Sequence, residues 1–185
     1  APLSLHAALP IGSRFPHHSH DGGEEFFVLE GVFSDASGDF GHGFYVRNPA
    51  GSRHAPWSRE GTTIFVKLGQ IDADDKDYVR LDTRGADWRR YPDRGMAILQ
   101  LHHFGRECTQ LVSLEPGSTF AEEDFPGGAE ILLIGGCIEA CGKQLKQGDW
   151  LRAPAGSAFV IRGHTRATFY LKIGHLPPVL NSDEA

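Results

Sequence analysis

The chain has 185 residues, a formal net charge of −6, 40% apolar and 10% aromatic residues, 23 Gly and 11 Pro. A modestly charged, aromatic-rich chain of this size holds one sizeable core or two small ones and is not disordered. Its Gly and Pro break long helices, which excludes a coiled coil, no apolar run approaches the roughly 20 residues of a membrane span, and no dense Lys/Arg block offers a nucleic-acid footprint.

Residues 1–11, APLSLHAALPI, lack the charged start and the long apolar stretch of a signal peptide. They resemble a translated sequencing adapter and are expected to be a non-native segment, with the first native strands of the leading domain missing. From Gly12 onward, EFFVLEGVF, GFYVRN and TTIFVKLGQ are runs rich in Val, Ile, Leu, Phe and Tyr. Gly, Pro, Asp and Ser separate them at the roughly 8–12-residue spacing of an all-β sandwich or barrel. The segment 72–94 is a charged linker, with a short strand expected around Tyr78–Leu81. Beyond it AILQLHHF, TQLVSLE, EILLIGGCI and TFYLKIG repeat the β pattern. The three cysteines, Cys108, Cys137 and Cys141, form no disulfide framework and point to a reducing cytoplasm. Cys137 falls at a strand position, where a buried thiol is expected.

The two halves are copies. An offset of 105 residues lays Gly12–Gln70 over Gly117–His175 without a gap, with 16 identities in 59 positions. GGEEFFVLEG lies over GGAEILLIGG and TIFVKLGQ over TFYLKIGH. Gly31, Gly43, Pro49, Gly51 and Lys67 recur as Gly136, Gly148, Pro154, Gly156 and Lys172. The domains are expected to span 12–84 and 85–178.

The first copy carries a constellation that suits a metal ion. His18 and His20 are two apart and project to one face of a strand. Asp21-Gly22-Gly23 is a turn that brings Glu24 back toward them. Pro49-Ala50-Gly51 is a second turn that delivers His54 from another strand. Three imidazoles and one carboxylate make a mixed N/O site for Zn, Fe, Mn, Ni or Cu. His17 projects to the opposite face, His42 sits in an exposed turn, and Glu25, which recurs as Glu130, reads as structural. In the second copy the four positions become Glu123, Phe125, Ala129 and Phe159. A metal-free second domain with an apolar interior is therefore expected. Glu122-Glu123-Asp124 reads as a solvated loop, and His102, His103 and His164 as isolated residues.

The pattern H18-S-H20-x3-E24-x6-G31 followed by G43-x5-P49-x-G51-x2-H54 resembles the paired motifs of the cupin superfamily. Within it, GGEEFFVLEGVFSD, GDFGHGFYVRNPAGSRHAP and GTTIFVKLGQ are similar to the ChrR-type cupin-like domain of anti-sigma factors and standalone bicupins. The resemblance implies two double-stranded β-helix (jelly-roll) barrels in tandem, the first truncated at its N-terminus. It places one divalent ion (Zn, Fe, Mn or Ni) on His18, His20, Glu24 and His54.

Two functions follow from the resemblance. One is an Fe(II)-type oxygenase acting on a small oxygenated organic substrate, as in related cupins that cleave diketones or hydroxylated aryl ketones. The other is a zinc-bearing sensor cupin that takes a small-molecule signal and acts through a sigma-factor-linked partner, given an upstream module. A catalytically dead scaffold is a third reading. No acid/base residue stands out beyond the four ligands. Neither nucleic acid nor membrane is an expected partner, and both a monomer and a homodimer are compatible with two barrels.

Overall fold

The computed structural model describes residues 3–121, 125 and 127–176, with the side chains of residues 3–5 excepted. The expected loop at residues 122–124, Glu123 included, lies outside them. The chain divides into two compact units, residues 1–86 and 87–185. Both are built almost wholly of antiparallel strands, as the alternating apolar runs lead one to expect.

Unit 1 contains β1 (Leu3–Leu9), β2 (Ser13–Arg14), β3 (His18–His20), β4 (Glu24–Asp35), β5 (Gly38–Gly41), β6 (Phe44–Asn48), β7 (Ser52–His54), β8 (Trp57–Ser58), β9 (Thr62–Leu68) and β10 (Val79–Asp82). Its main ladder runs β1-β9-β4-β6-β10 and, among the described residues, does not close on itself; β3 pairs with β7 in a separate two-stranded sheet. On one face of this ladder Phe26, Val28, Val46, Ile64 and Val66 pack with Phe33 and Phe40 into an apolar core. Each such fully buried side chain contributes about 1.5–3 kcal/mol. The other face is also buried but charged. Arg47 reaches Glu25 at 2.5 Å and Asp75 at 2.6 Å, and the Tyr45 hydroxyl donates to Glu25 at 2.6 Å. That network gives Glu25 the structural role expected of it. The expected strand near Tyr78–Leu81 is β10, which pairs with β6.

Unit 2 contains β11 (Arg89–Tyr91), a single 3-10 turn (Pro92–Arg94), β12 (Met96–Phe104), β13 (Glu107–Leu114), β14 (Thr119–Ala121), β15 (Ala129–Gly135), β16 (Cys137–Ala140), β17 (Lys143–Lys146), β18 (Trp150–Ala153), β19 (Val160–Gly163) and β20 (Ala167–Ile173). A six-stranded sheet, β11-β12-β13-β20-β15-β18, and a four-stranded sheet, β14-β19-β16-β17, share one apolar core. The duplication is visible in the hydrogen bonds. Gly43 donates to Val28 at 2.9 Å, and Gly148 donates to Leu133 at 2.8 Å. The bulge between Val28 and Glu30 recurs between Leu133 and Gly135.

Residues 3–9 form β1 and pair with β9 from Leu3↔Leu68 to Leu9↔Thr62. This is the slot and register of β13 on β20, from Cys108↔Ile173 to Leu114↔Ala167. The pairing is carried by backbone groups, which any strand-forming heptad supplies. Among the described residues, unit 1 has no strand in the positions that β11 and β12 take in unit 2. No helix among them is long and apolar enough to cross a membrane.

Candidate metal centre

The register of β3 on β7 sets His18 opposite His54 and His20 opposite Ser52. The 21–23 turn is closed by the Gly23 amide donating to the His20 carbonyl at 3.0 Å. The chain therefore doubles back and starts β4 with Glu24 beside the imidazoles. The Gly51 amide donates to the same carbonyl at 2.9 Å, which ties the second turn to β3 and fixes where His54 emerges.

All four predicted side chains come together. His20 Nε2 lies 3.0 Å from His54 Nε2. Glu24 places Oε1 at 3.6 Å from His20 Nε2 and Oε2 at 3.6 Å from His54 Nε2. The nearest ring nitrogens of His18, His20 and His54 all lie within 4.8 Å of one another. Two donors each about 2.1 Å from one ion are about 3.0 Å apart at a right angle and about 3.4 Å apart at a tetrahedral angle. The spacings of His20, Glu24 and His54 fall close to those values, so the donor set fits a transition ion.

The ring nitrogens of His54 and His18 that face away from the centre are occupied. His54 Nδ1–H donates to Asp35 Oδ2 at 3.3 Å, and His18 Nδ1–H donates to the Pro16 carbonyl at 2.9 Å. Both bonds leave Nε2 as the free donor, the arrangement that fixes a ligand imidazole's tautomer. Asn48 Nδ2 donates to Glu24 Oε2 at 3.2 Å.

The electrostatics follow from burial. His20 is lowered to about 4 by burial and by its neighbours His54 and His18, so it is neutral at pH 7. Burial raises the Glu24 carboxyl above its ordinary value, against the pull of His54 and Asn48. A cation in the centre would stabilise its charged form. Burial also pushes Asp35 up, but the hydrogen bonds from His54 and from the Ser37 hydroxyl and amide prevail and hold it at about 2.

Asp35 and Asn48 were not singled out from the sequence. Their signal lies in the repeat, where the equivalent residues are Ala140 and Ala153. In unit 2 both alanines belong to the apolar core, together with Ala129 in the Glu24 position. Phe125 is buried and stacks on Phe159 with ring centroids 4.6 Å apart. The aromatic pair thus stands where His20 and His54 stand in unit 1, in the apolar interior the sequence predicted. The converging side chains and the groups that hold them have been replaced together.

The remaining candidates are peripheral. His42 is exposed and donates Nδ1–H to the Leu29 carbonyl at 2.6 Å. All three cysteines are free, and Cys137 is half-buried rather than buried, because it opens β16 at a sheet end. His17 is exposed, as expected, yet it lies on the wall of a cavity of about 320 Å³. Asp35, Asn48, His54, Tyr78 and Arg80 line the same cavity, so it opens beside the four converging side chains.

A family model described as the ChrR Cupin-like domain matches residues 4–72 and 76–177. Among solved structures, the chain is similar to a candidate dioxygenase from Nostoc punctiforme, with a TM-score of 0.79, 15% identity, and coverage of 100% of this chain and 74% of that one. It is similar to salicylate 1,2-dioxygenase from Pseudaminobacter salicylatoxidans, with a TM-score of 0.68, 13% identity, and coverage of 94% and 70%. It is also similar to the pirin YhhW from Escherichia coli, solved with nickel(II), with a TM-score of 0.66, 18% identity, and coverage of 94% and 81%. At these identities the likeness is one of fold. No curated protein matches the chain by sequence.

Proposed function

This chain belongs to the ChrR cupin-like domain family, and on that footing we propose that unit 1 is a metal-dependent, oxygenase-like enzyme acting on a small oxygenated organic molecule. One divalent transition ion (Fe, Zn, Mn or Ni) is held by His18, His20, Glu24 and His54. The observation that carries this reading is the convergence of those side chains, with donor atoms 3.0–3.6 Å apart for three of them, on the edge of a cavity. When bound, the ion supplies Lewis acidity and, as iron, redox capacity. The chain's own residues do the positioning. His20 offers an uncharged nitrogen at neutral pH. Asp35 and Pro16 hold the rings of His54 and His18 with Nε2 free. Asn48 restrains one oxygen of Glu24, and the walls that include Tyr78 and Arg80 receive the substrate. Unit 2, packed with Phe125 and Phe159 at the equivalent place, serves as scaffold.

Oxygen uptake by purified, iron-loaded protein across a panel of β-diketones and hydroxylated aryl ketones tests the reading. Uptake that depends on His54 is expected. No turnover across the panel would overturn the enzymatic part. The family match also supports a second reading, in which the ion is zinc, the cavity takes a small signal molecule, and the output is affinity for a partner such as an anti-sigma module. Zinc as the only retained metal, with no turnover, is its signature.

A further inference from the structure

The cavity beside the candidate metal centre holds a cation that no carboxylate touches directly; Asp35 reaches it only through the bridging Ser37 hydroxyl, and Glu24 only at longer range. Arg80 on β10 is half-buried, and among the described residues no acidic oxygen forms an ion pair with it. Its guanidinium is fixed by neutral acceptors instead. Nη1 donates to the Arg47 carbonyl at 2.9 Å and to the Val79 carbonyl at 2.8 Å. Nη2 donates to Asn48 Oδ1 at 2.6 Å, and Nε donates weakly to Ser37 Oγ at 3.4 Å. The rings of Phe40 and Tyr78 lie 5.4 and 5.9 Å from the guanidinium carbon. Four of its five N–H groups are spent on holding it still, and one on Nη2 is left over.

A positioned, partly desolvated positive charge favours an anion. The cavity's charge balance agrees. Arg53 and Arg80 line it, and among the described residues Asp35 is the one carboxylate on its wall, hydrogen-bonded by His54 and Ser37 and offsetting part of the Arg80 charge. An ion on the neighbouring four side chains would offset Glu24 and leave the cavity net positive. With a single spare N–H, and Asn48 and Ser52 as neutral neighbours, the donors match one singly charged carboxylate better than a phosphate dianion. A volume of about 320 Å³ admits a molecule the size of benzoate.

We propose that Arg80 is the anion-recognising residue of this cavity, and that the molecule bound beside the metal centre is a small organic carboxylate. The proposal deepens the function proposed above and rests on it for the position of the reacting group, while the contact that selects a carboxylate is assigned to Arg80.

The test is titration calorimetry of the full chain, zinc-loaded and metal-stripped, with benzoate and with its uncharged isostere benzamide. Arg80→Gln is expected to weaken benzoate binding about tenfold in both forms and to leave benzamide unchanged. Arg80→Lys keeps the charge while losing the same bonds to Arg47, Val79 and Asn48, and is expected to retain benzoate within about threefold. Equal losses for both variants, equal losses for both ligands, or no benzoate binding by the parent protein would overturn the proposal. Failure of the metal reading is separate: it would appear as protein that takes up no zinc, while the Arg80 effect in the stripped form still decides this one.

Discussion

His54 and Asp35 are joined through the ring nitrogen that the candidate centre leaves unused: Nδ1 of one lies 3.3 Å from Oδ2 of the other. Asp35 is the last residue of β4 and Glu24 the first, so one strand supplies both a converging carboxylate and the carboxylate that orients a converging imidazole.

Removing that support should weaken metal binding without unfolding the protein. Asp35→Ala is expected to lower metal affinity about 10–100-fold. Asp35→Asn keeps an acceptor for the His54 N–H and should fall in between. Competition against a chelator measures the affinity, and a melt of the metal-free variants checks the fold. Parent-like affinity in Asp35→Ala would leave the bond without a positioning role.

The two halves should respond in opposite ways to equivalent changes. His54→Ala is expected to abolish most bound metal while costing little stability. Phe159→Ala should leave metal content unchanged and cost about 1–3 kcal/mol, because it removes a half-buried ring stacked on Phe125. Elemental analysis of untagged protein with urea unfolding reads both. Equal metal loss in the two variants would mean the ion is not in unit 1.

Stability of the metal-free protein should fall in mild acid. His20 titrates at about 4 in the folded chain and at roughly 6.5 when unfolded. Between those values the unfolded chain binds more protons, so stability is full above about pH 6.5 and declines as pH falls toward 4. Asp35, held at about 2, adds a loss of the same sign below about pH 4, completed as pH falls through 2. Urea unfolding from pH 7.5 to 4.5 measures the upper window, and His20→Gln should flatten it. Glu24, raised by burial, works with the opposite sign, so the His20 contribution is read as the difference between the two profiles, and identical profiles would contradict the burial of a neutral imidazole.

Two glycines of the repeat differ in what they protect. Gly31 has φ +69, and a Cβ there would lie 1.9 Å from the Gly61 carbonyl oxygen, so the β4–β9 edge would have to part. Gly51 has φ +82 but open space around it. Gly51→Ala should cost about 1–2 kcal/mol from backbone strain alone, and Gly31→Ala distinctly more. Urea unfolding of the two variants checks the order, and equal costs would show that close approach at Gly31 is not limiting.

Much of this protein was legible before any fold was known. Alternation of apolar residues marks strands because side chains in a strand alternate between faces. The constant offset of 105 residues marks a duplication because identical positions survive at identical spacings. His18-x-His20, the Gly-rich turn before Glu24 and the Pro-Ala-Gly turn before His54 are local patterns, and local geometry sets where they point. What the chain alone left undecided depends on pairing between distant strands. Asp35 meets His54 across 19 residues, Asn48 meets Glu24 across 24, and Arg80 meets Asn48 across 32. Each meeting is set by ladder register, and a shift of one residue would turn those side chains to the opposite face. The candidate ligand set was therefore written in short motifs, while its supporting carboxylate, its amide restraint and the cationic wall of its cavity were decided only when β4, β6, β7 and β10 took their places.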